Sequence, residues 1–349
     1  MDWIKGKTIG HGSFATVSLA KSTNRSSNYP SLIAVKSCAV SHSESLINER
    51  MVLDELKDCP EIISCFGDSI TVENGVKLYN VALEYASGGA LSEKLKKSGG
   101  FRLSENEIRR YTKSILNGLE FVHGNGFVHC DIKPQNVLLF SDGVVKIADF
   151  GLAKKSTESR NLTSKYEIRG TPMYMAPETV IRGEQESASD IWALGCLVTE
   201  MITGDSIWNC TDLSALLMRI GVGTEIPEIP KKLSDAGKDF LEKCFLKDPK
   251  TRWTAEMLLR HPFVNTGLCA KAENQISPRD PFDFPNWESE SQQSCCLTPE
   301  VKFGCWEGKD KGMKYEASVI PAVTRLGQLM TTQNQKPNWS VSNSWVKVR

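Results

Sequence analysis

The sequence predicts an α+β chain of two lobes, a small antiparallel sheet carrying one helix, then a larger and mainly helical body. Three observations carry this. Over the first eighty-odd residues, β-prone runs alternate with turns, and Asn74-Gly75 between "SITVE" and "VKLYNVALEY" is a strong hairpin signal. From Ser104 the apolar spacing becomes helical. Farther on, "SDIWALGCLVTEMITG", residues 189–204, is apolar nearly all round, as a helix buried in the middle of a lobe must be.

Each element has its own local reason. "IGHGSFATV", residues 9–17, sets glycines between β-prone flanks, and "IAVK", residues 33–36, reads as an apolar strand presenting one ammonium group. A helix from about Ser43 to Leu56 puts Leu46, Leu53 and Leu56 on one face, with Glu49 set into the same stripe. Ser104-x-x-Glu107 is a capping box, followed by Ile108, Tyr111, Ile115, Leu119 and Val122 until Gly124 and Gly126 end the helix. "NVLLF" and "VVKIA" flank the turn Asp142-Gly143. The apolar helix stops at Gly204, and helical segments continue to about Phe263. From about 265 to 349 the chain is rich in Ser, Gln, Asn and Pro with little periodicity and reads as a mostly disordered tail. Four of the eight tryptophans (Trp287, Trp306, Trp339, Trp345) fall there, more than a passive spacer needs.

Bulk composition removes several classes of function. With 349 residues and 40% hydrophobic content, a sizeable core is available. Lys+Arg and Asp+Glu each total 42, so no net charge draws the protein to nucleic acid or to an anionic membrane. The eleven cysteines show no C-x-x-C spacing and read as mostly reduced thiols. No signal core, lipidation motif or membrane-length apolar run is present, which points to a soluble protein of the cytoplasm, the nucleus or both.

The chemistry lies in ordered short motifs. Gly10 and Gly12 let backbone approach a bulky anion and offer N–H donors, although for so short a pattern taken alone a flexible hairpin turn is the simpler explanation. Lys36 on its strand either snorkels to water or is held inside against a carboxylate, and Glu49 is the natural partner. His129, Asp131, Lys133 and Asn136 match the catalytic loop H-R-D-x-x-x-x-N at every position but one; Asp149-Phe150-Gly151 and Ala176-Pro177-Glu178 follow. With these six motifs in order, the chain resembles eukaryotic protein kinases over residues 3–264, with a sheet lobe of about 3–85 and a helical lobe of about 88–264.

The resemblance implies a bilobal kinase fold, ATP as phosphoryl donor and Mg²⁺ as the metal, with Mn²⁺ as a substitute. It assigns Asn136 and Asp149 to the metal, Lys36 (held by Glu49) to the α- and β-phosphates, and Asp131 and Lys133 to catalysis. The glycine-rich stretch Ile9, Gly10, His11, Gly12, Ser13, Phe14, Ala15, Thr16 and Val17 would cover the nucleotide. Val17, Ala34 and Leu138 would sandwich the adenine, with backbone from Glu84 to Ala86 as hinge and Leu83 behind. Glu178 would pair with Arg252, Asp190 would cap the catalytic loop, and Leu53, His129 and Phe150 would stack in a column. Lys133 with Thr171 resembles serine/threonine kinases. Within that class "ALEYASGGAL" and "HCDIKPQNVLL" look like plant mitogen-activated protein kinase kinase kinases of the MEK-kinase-like group, whose substrates are mitogen-activated protein kinase kinases. A pseudokinase or scaffold acting through nucleotide binding and the tail is the competing reading.

Two departures stand out. Ala15 replaces the third glycine of the loop and keeps its N–H donor. Cys130 stands where many kinases carry an arginine that binds a phosphate on the activation segment; a thiol lacks that charge. Phosphorylation between Ser156 and Ser164 is therefore expected not to be strictly required, even though Lys154, Lys155, Arg160, Lys165 and Arg169 lie nearby in sequence. In the tail, "DPFDFPNW" is a candidate docking or regulatory segment, and Ser277-Pro278 and Thr298-Pro299 are candidate sites for a proline-directed kinase.

Overall fold

The computed structural model describes residues 3–12, 15–23, 30–97, 103–141, 143–156, 168–208, 210, 212–223 and 225–265. Ser13, Phe14, Asp142, the stretch from 157 to 167 with Arg160 and Lys165, and the tail motifs after 265 lie outside the described residues.

Strands β1 (Trp3–His11), β2 (Thr16–Ser22), β3 (Leu32–Ala39), β4 (Cys65–Glu73) and β5 (Val76–Glu84) form one antiparallel sheet ordered β1-β2-β3-β5-β4. Helix α1 (Glu44–Glu55) is inserted between β3 and β4. The β4–β5 turn is the Asn74-Gly75 hairpin, with φ 51° and 80° at its two residues, the left-handed pair such a turn requires. Alternation along β3 divides its side chains: Ile33 and Val35 join Trp3, Ala20 and Ala82 in a small outer cluster, while Ala34 belongs to the main core and Lys36 shares its face.

The second lobe opens with β6 (Gly89–Ala90), α2 (Leu91–Lys97) and α3 (Glu105–Gly124), followed by β7 (Phe127–Val128), β8 (Val137–Leu139), β9 (Val145–Ile147) and β10 (Lys154–Lys155). It closes with α4 (Pro177–Arg182), α5 (Ser187–Thr203), α6 (Leu213–Gly221), α7 (Asp235–Cys244) and α8 (Ala255–Leu259). The capping box of α3 forms in both directions: Glu107 N donates to Ser104 Oγ at 3.3 Å, and Ser104 N donates to Glu107 Oε2 at 3.2 Å. Helix α5 is buried along nearly its whole length and ends at Gly204 in the left-handed region, φ 75°. Its Gly195 lets α7 approach, since a Cβ there would sit 2.8 Å from Cys244 Cβ and 2.8 Å from the Phe245 ring.

Two ties fix the lobes around one cleft, and a third locks the helical lobe itself. Ile147 N donates to Glu61 O at 2.8 Å, and Ile63 N to Ile147 O at 2.9 Å, so the turn after α1 is stitched to β9. Inside the helical lobe, Arg252 donates to both carboxylate oxygens of Glu178 at 2.6 and 3.0 Å, fully buried, and also to the carbonyls of Ala188 and Leu246. Both lobes share the main hydrophobic core, in which Leu53, Phe150 and Trp192 are wholly enclosed. Among the described residues all seven cysteines are free, and no helix is long and apolar enough to cross a membrane.

Candidate active site

The sheet delivers Lys36, α1 delivers Glu49, and the chain leaving β9 delivers Asp149. Lys36 Nζ lies 2.6 Å from Glu49 Oε2 and 2.8 Å from Asp149 Oδ1, so the buried ammonium is shared by two carboxylates from different elements. Of the two alternatives for Lys36, the internal pair is the one formed. Burial by itself would lower the Lys36 pKa, yet the charges of Asp149 and Glu49 outweigh it and hold the ammonium above its usual range. Burial likewise works against Asp149, but Lys36 keeps that carboxyl below its ordinary value. For Glu49 burial prevails and raises it. Asp149 adopts φ 67°, a left-handed conformation that turns the chain and starts the short 3₁₀ turn Phe150–Leu152.

The catalytic loop hangs from α5. Both His129 N and Cys130 N donate to the buried Asp190 carboxylate, at 2.8 and 2.9 Å. Asp131 N donates to His129 Nδ1 at 3.2 Å, which leaves Nε2 as the ring's donor to Ala148 O at 3.1 Å. The His129 ring meets Phe150 edge-on at 4.7 Å, and Leu53 is buried in the same core, as a stacked column requires. Cys130 is left-handed at φ 66°. Gly170, at φ 102°, packs its backbone so closely on Cys130 O that any side chain there would collide.

That approach brings Thr171 onto the loop. Thr171 Oγ1 donates to Asp131 Oδ1 at 2.7 Å, and Lys133 Nζ reaches Thr171 Oγ1 at 2.8 Å and Asp131 Oδ2 at 2.7 Å. Asn136 Nδ2 donates to Asp131 O and Asp131 Oδ2, at 2.8 and 3.0 Å. Every oxygen of Asp131 is thus held in place.

Between the lobes lies a cleft of about 660 Å³. Ile9, Val17, Ala34, Leu83 and Leu138 give it apolar walls, Glu84 at the end of β5 and Ala86 just beyond it line the hinge side, and Lys36, Glu49, Asn136 and Asp149 gather at its polar end. Gly10 and His11 end β1, Thr16 begins β2, and Gly12 and Ala15 lie in the turn between, closed by Gly12 N donating to Ala15 O at 2.7 Å; none of the five lines the cleft wall. Asp131 and Lys133 stand beside the cleft in the adjoining loop. At the hinge, Glu84 N already donates to Ser64 O at 2.9 Å, and its carboxylate accepts from Lys146 at 2.7 Å. A buried β-lobe lysine, a carboxylate-bearing helix and an Asp-Asn pair meeting at a hinged cleft is the arrangement of a phosphotransferase site.

The family described as "Protein kinase domain" matches residues 3–264. The chain belongs to the protein kinase family. Curated relatives narrow the group. Mitogen-activated protein kinase kinase kinase 20 of Arabidopsis thaliana is 47% identical over 100% of both chains. Mitogen-activated protein kinase kinase kinase 18 of the same plant is 43% identical, covering 100% of this chain and 99% of its own. Outside plants, mitogen-activated protein kinase kinase kinase A of Dictyostelium discoideum is 38% identical over 75% of this chain and 28% of its own length. This is a serine/threonine protein kinase whose full-length relatives are plant mitogen-activated protein kinase kinase kinases. The family uses ATP and a divalent metal.

The kinase's own residues fit that pair of ligands. Asn136 Oδ1 is buried with no hydrogen-bond partner, although the amide's other end is doubly bonded; an acceptor so placed beside Asp149 suits a hard cation. Among the described residues no group of three or more His, Cys, Asp or Glu could hold an ion by itself, so such a cation would take further ligands from outside the chain, phosphate oxygens or water. Sequence reasoning passed over Ile63, Glu93, Lys96 and Ala148, which also line the cleft. Ala148 had a signal, as the residue before Asp149; the other three had none.

Proposed function

We propose that this kinase transfers the γ-phosphoryl group of Mg²⁺-bound ATP to serine or threonine hydroxyls of mitogen-activated protein kinase kinases. The observation that carries the catalytic part is the ammonium of Lys36 held at 2.6 and 2.8 Å between Glu49 and Asp149, facing the cleft with the orphaned Asn136 oxygen. The substrate class rests on the names of the full-length relatives.

Magnesium-bound ATP supplies the transferable phosphoryl group and, through the metal, charge neutralisation at its phosphates. Lys36 anchors phosphate oxygens, and it is preorganised because Glu49 and Asp149 already fix its rotamer. Asp149 and Asn136 would hold the metal through a carboxylate and an amide oxygen. Asp131 orients the incoming hydroxyl and accepts its proton, and Lys133, bonded to both Asp131 and Thr171, offsets negative charge on the phosphoryl group in flight. The competing scaffold reading has no support in the site, since none of these groups is missing or turned away.

The test is phosphate incorporation into inactive mitogen-activated protein kinase kinases with Mg²⁺-ATP, with the modified positions mapped. Incorporation on Ser/Thr that falls by about 10³-fold or more in Asp131→Asn supports the proposal. Equal incorporation by wild type and variant, or none by either, would overturn it.

A further inference from the structure

Asn48 stands next to Glu49 on α1, and sequence reasoning gave it no role. Its side-chain Nδ2 lies 2.9 Å from Ala153 O, 3.2 Å from Gly151 O and 3.4 Å from Phe150 O. One amide therefore spends its two hydrogens on three carbonyls of the segment that follows Asp149. The approach is close: a Cβ at Gly151 would oblige the Ser45 hydroxyl to rotate away and would lie 3.3 Å from the Ser45 carbonyl oxygen. Adjacent residues of one helical turn thus hold both ends of the same unit, Glu49 through Lys36 and Asn48 through backbone.

The far side is held as well. Arg169 Nη1 reaches Leu152 O and Ala153 O at 3.4 and 3.5 Å, long contacts from a cation. The arginine's own backbone is fixed twice by buried Gln185, N to Oε1 at 3.1 Å and Nε2 to O at 2.7 Å. Beyond Ala153, Lys154 and Lys155 pair with Val128 and Phe127. These contacts tie residues 150–155 to α1, to β7 and to Arg169 through groups of the chain itself. Cys130 offers no charge that a phosphate could bind.

We infer that Asn48 is a positioning residue of this kinase: its amide clasps the backbone after Asp149 to α1, aligning Asp149 and Lys36 in the unphosphorylated chain. The clasp works by donation, with no contribution from net charge. It rests on the reading of the protein as an active kinase, so the experiment has one readout that does not depend on turnover.

Asn48→Leu keeps the approximate shape and removes the donor, while Asn48→Gln keeps the donor. Amide hydrogen exchange at residues 150–155 and kcat are measured for both, beside phosphatase-treated wild type. In Asn48→Leu, exchange over this segment should quicken and kcat should fall about tenfold or more, as a displaced catalytic group requires. Asn48→Gln should recover most of both, and phosphatase treatment should leave wild-type kcat within about twofold. Wild-type exchange in Asn48→Leu would overturn the clasp, as would rapid exchange with lost turnover in phosphatase-treated wild type. If Asn48→Leu does not fold, Asn48→Ala gives the same comparison. Absent turnover in every form, with exchange still quickened in the variant, would count against the kinase reading and leave the clasp standing.

Discussion

Cys130 shows how a single side chain is set by its surroundings. Burial pushes its thiol well up, the Asp190 carboxylate adds to that, and nearby Lys154 and Arg169 only partly oppose them. Its Sγ faces Val128 O at 3.6 Å. A half-buried thiol so held is kept protonated at neutral pH, which disfavours its acting as a nucleophile. Brief iodoacetamide treatment of the native kinase at pH 7 should leave Cys130 unmodified by peptide mass spectrometry and modify it after denaturation. Rapid native labelling would contradict a thiol held protonated in this way. The same backbone position is left-handed, so Cys130 also carries conformational strain where the catalytic loop turns.

Helix α3 depends on its first turn. Ser104 and Glu107 satisfy two backbone donors reciprocally, and Ser104→Ala should lower stability by about 1 kcal/mol in chemical denaturation. Glu107 adds a pH signature. The hydrogen bond from Lys94, together with Ser104, outweighs partial burial and holds the Glu107 carboxyl below the usual 4.5. A carboxyl whose folded pKa is depressed contributes stability that is fully present above its unfolded pKa and is lost as pH falls through the folded one. The stability difference between wild type and Glu107→Gln should therefore be constant from neutral pH down to about pH 5, then shrink in more acid solution. A difference unchanged at pH 3 would rule out the ionised pair as its source.

The helical lobe is locked by one fully buried ion pair. Arg252 satisfies Glu178 bidentately and reaches further carbonyls, so neither charge is left without partners. Arg252→Ala strands the Glu178 carboxylate in the core and should cost about 3–5 kcal/mol, a large share of a typical folding free energy. Arg252→Lys should recover only part of it, because an ammonium cannot reproduce the planar fork. Urea denaturation of both variants decides this: a loss under about 1 kcal/mol in Arg252→Ala would show that the lobe does not depend on the pair.

Features written within a few residues were legible from the chain alone. The Asn74-Gly75 hairpin, the Ser104 cap and the stop at Gly204 follow from φ preferences and local donors, and ordered motifs identified the chemistry. Lys36 and Asp149 are 113 residues apart, Asn48 and Ala153 105, and Thr171 and Asp131 40; packing alone decides that they meet. Local preference has no term for such distances. They are set when α1 seats on Gly151, when the turn after α1 is stitched to Ile147 and when Gly170 closes on Cys130, because those contacts leave the cleft a single arrangement.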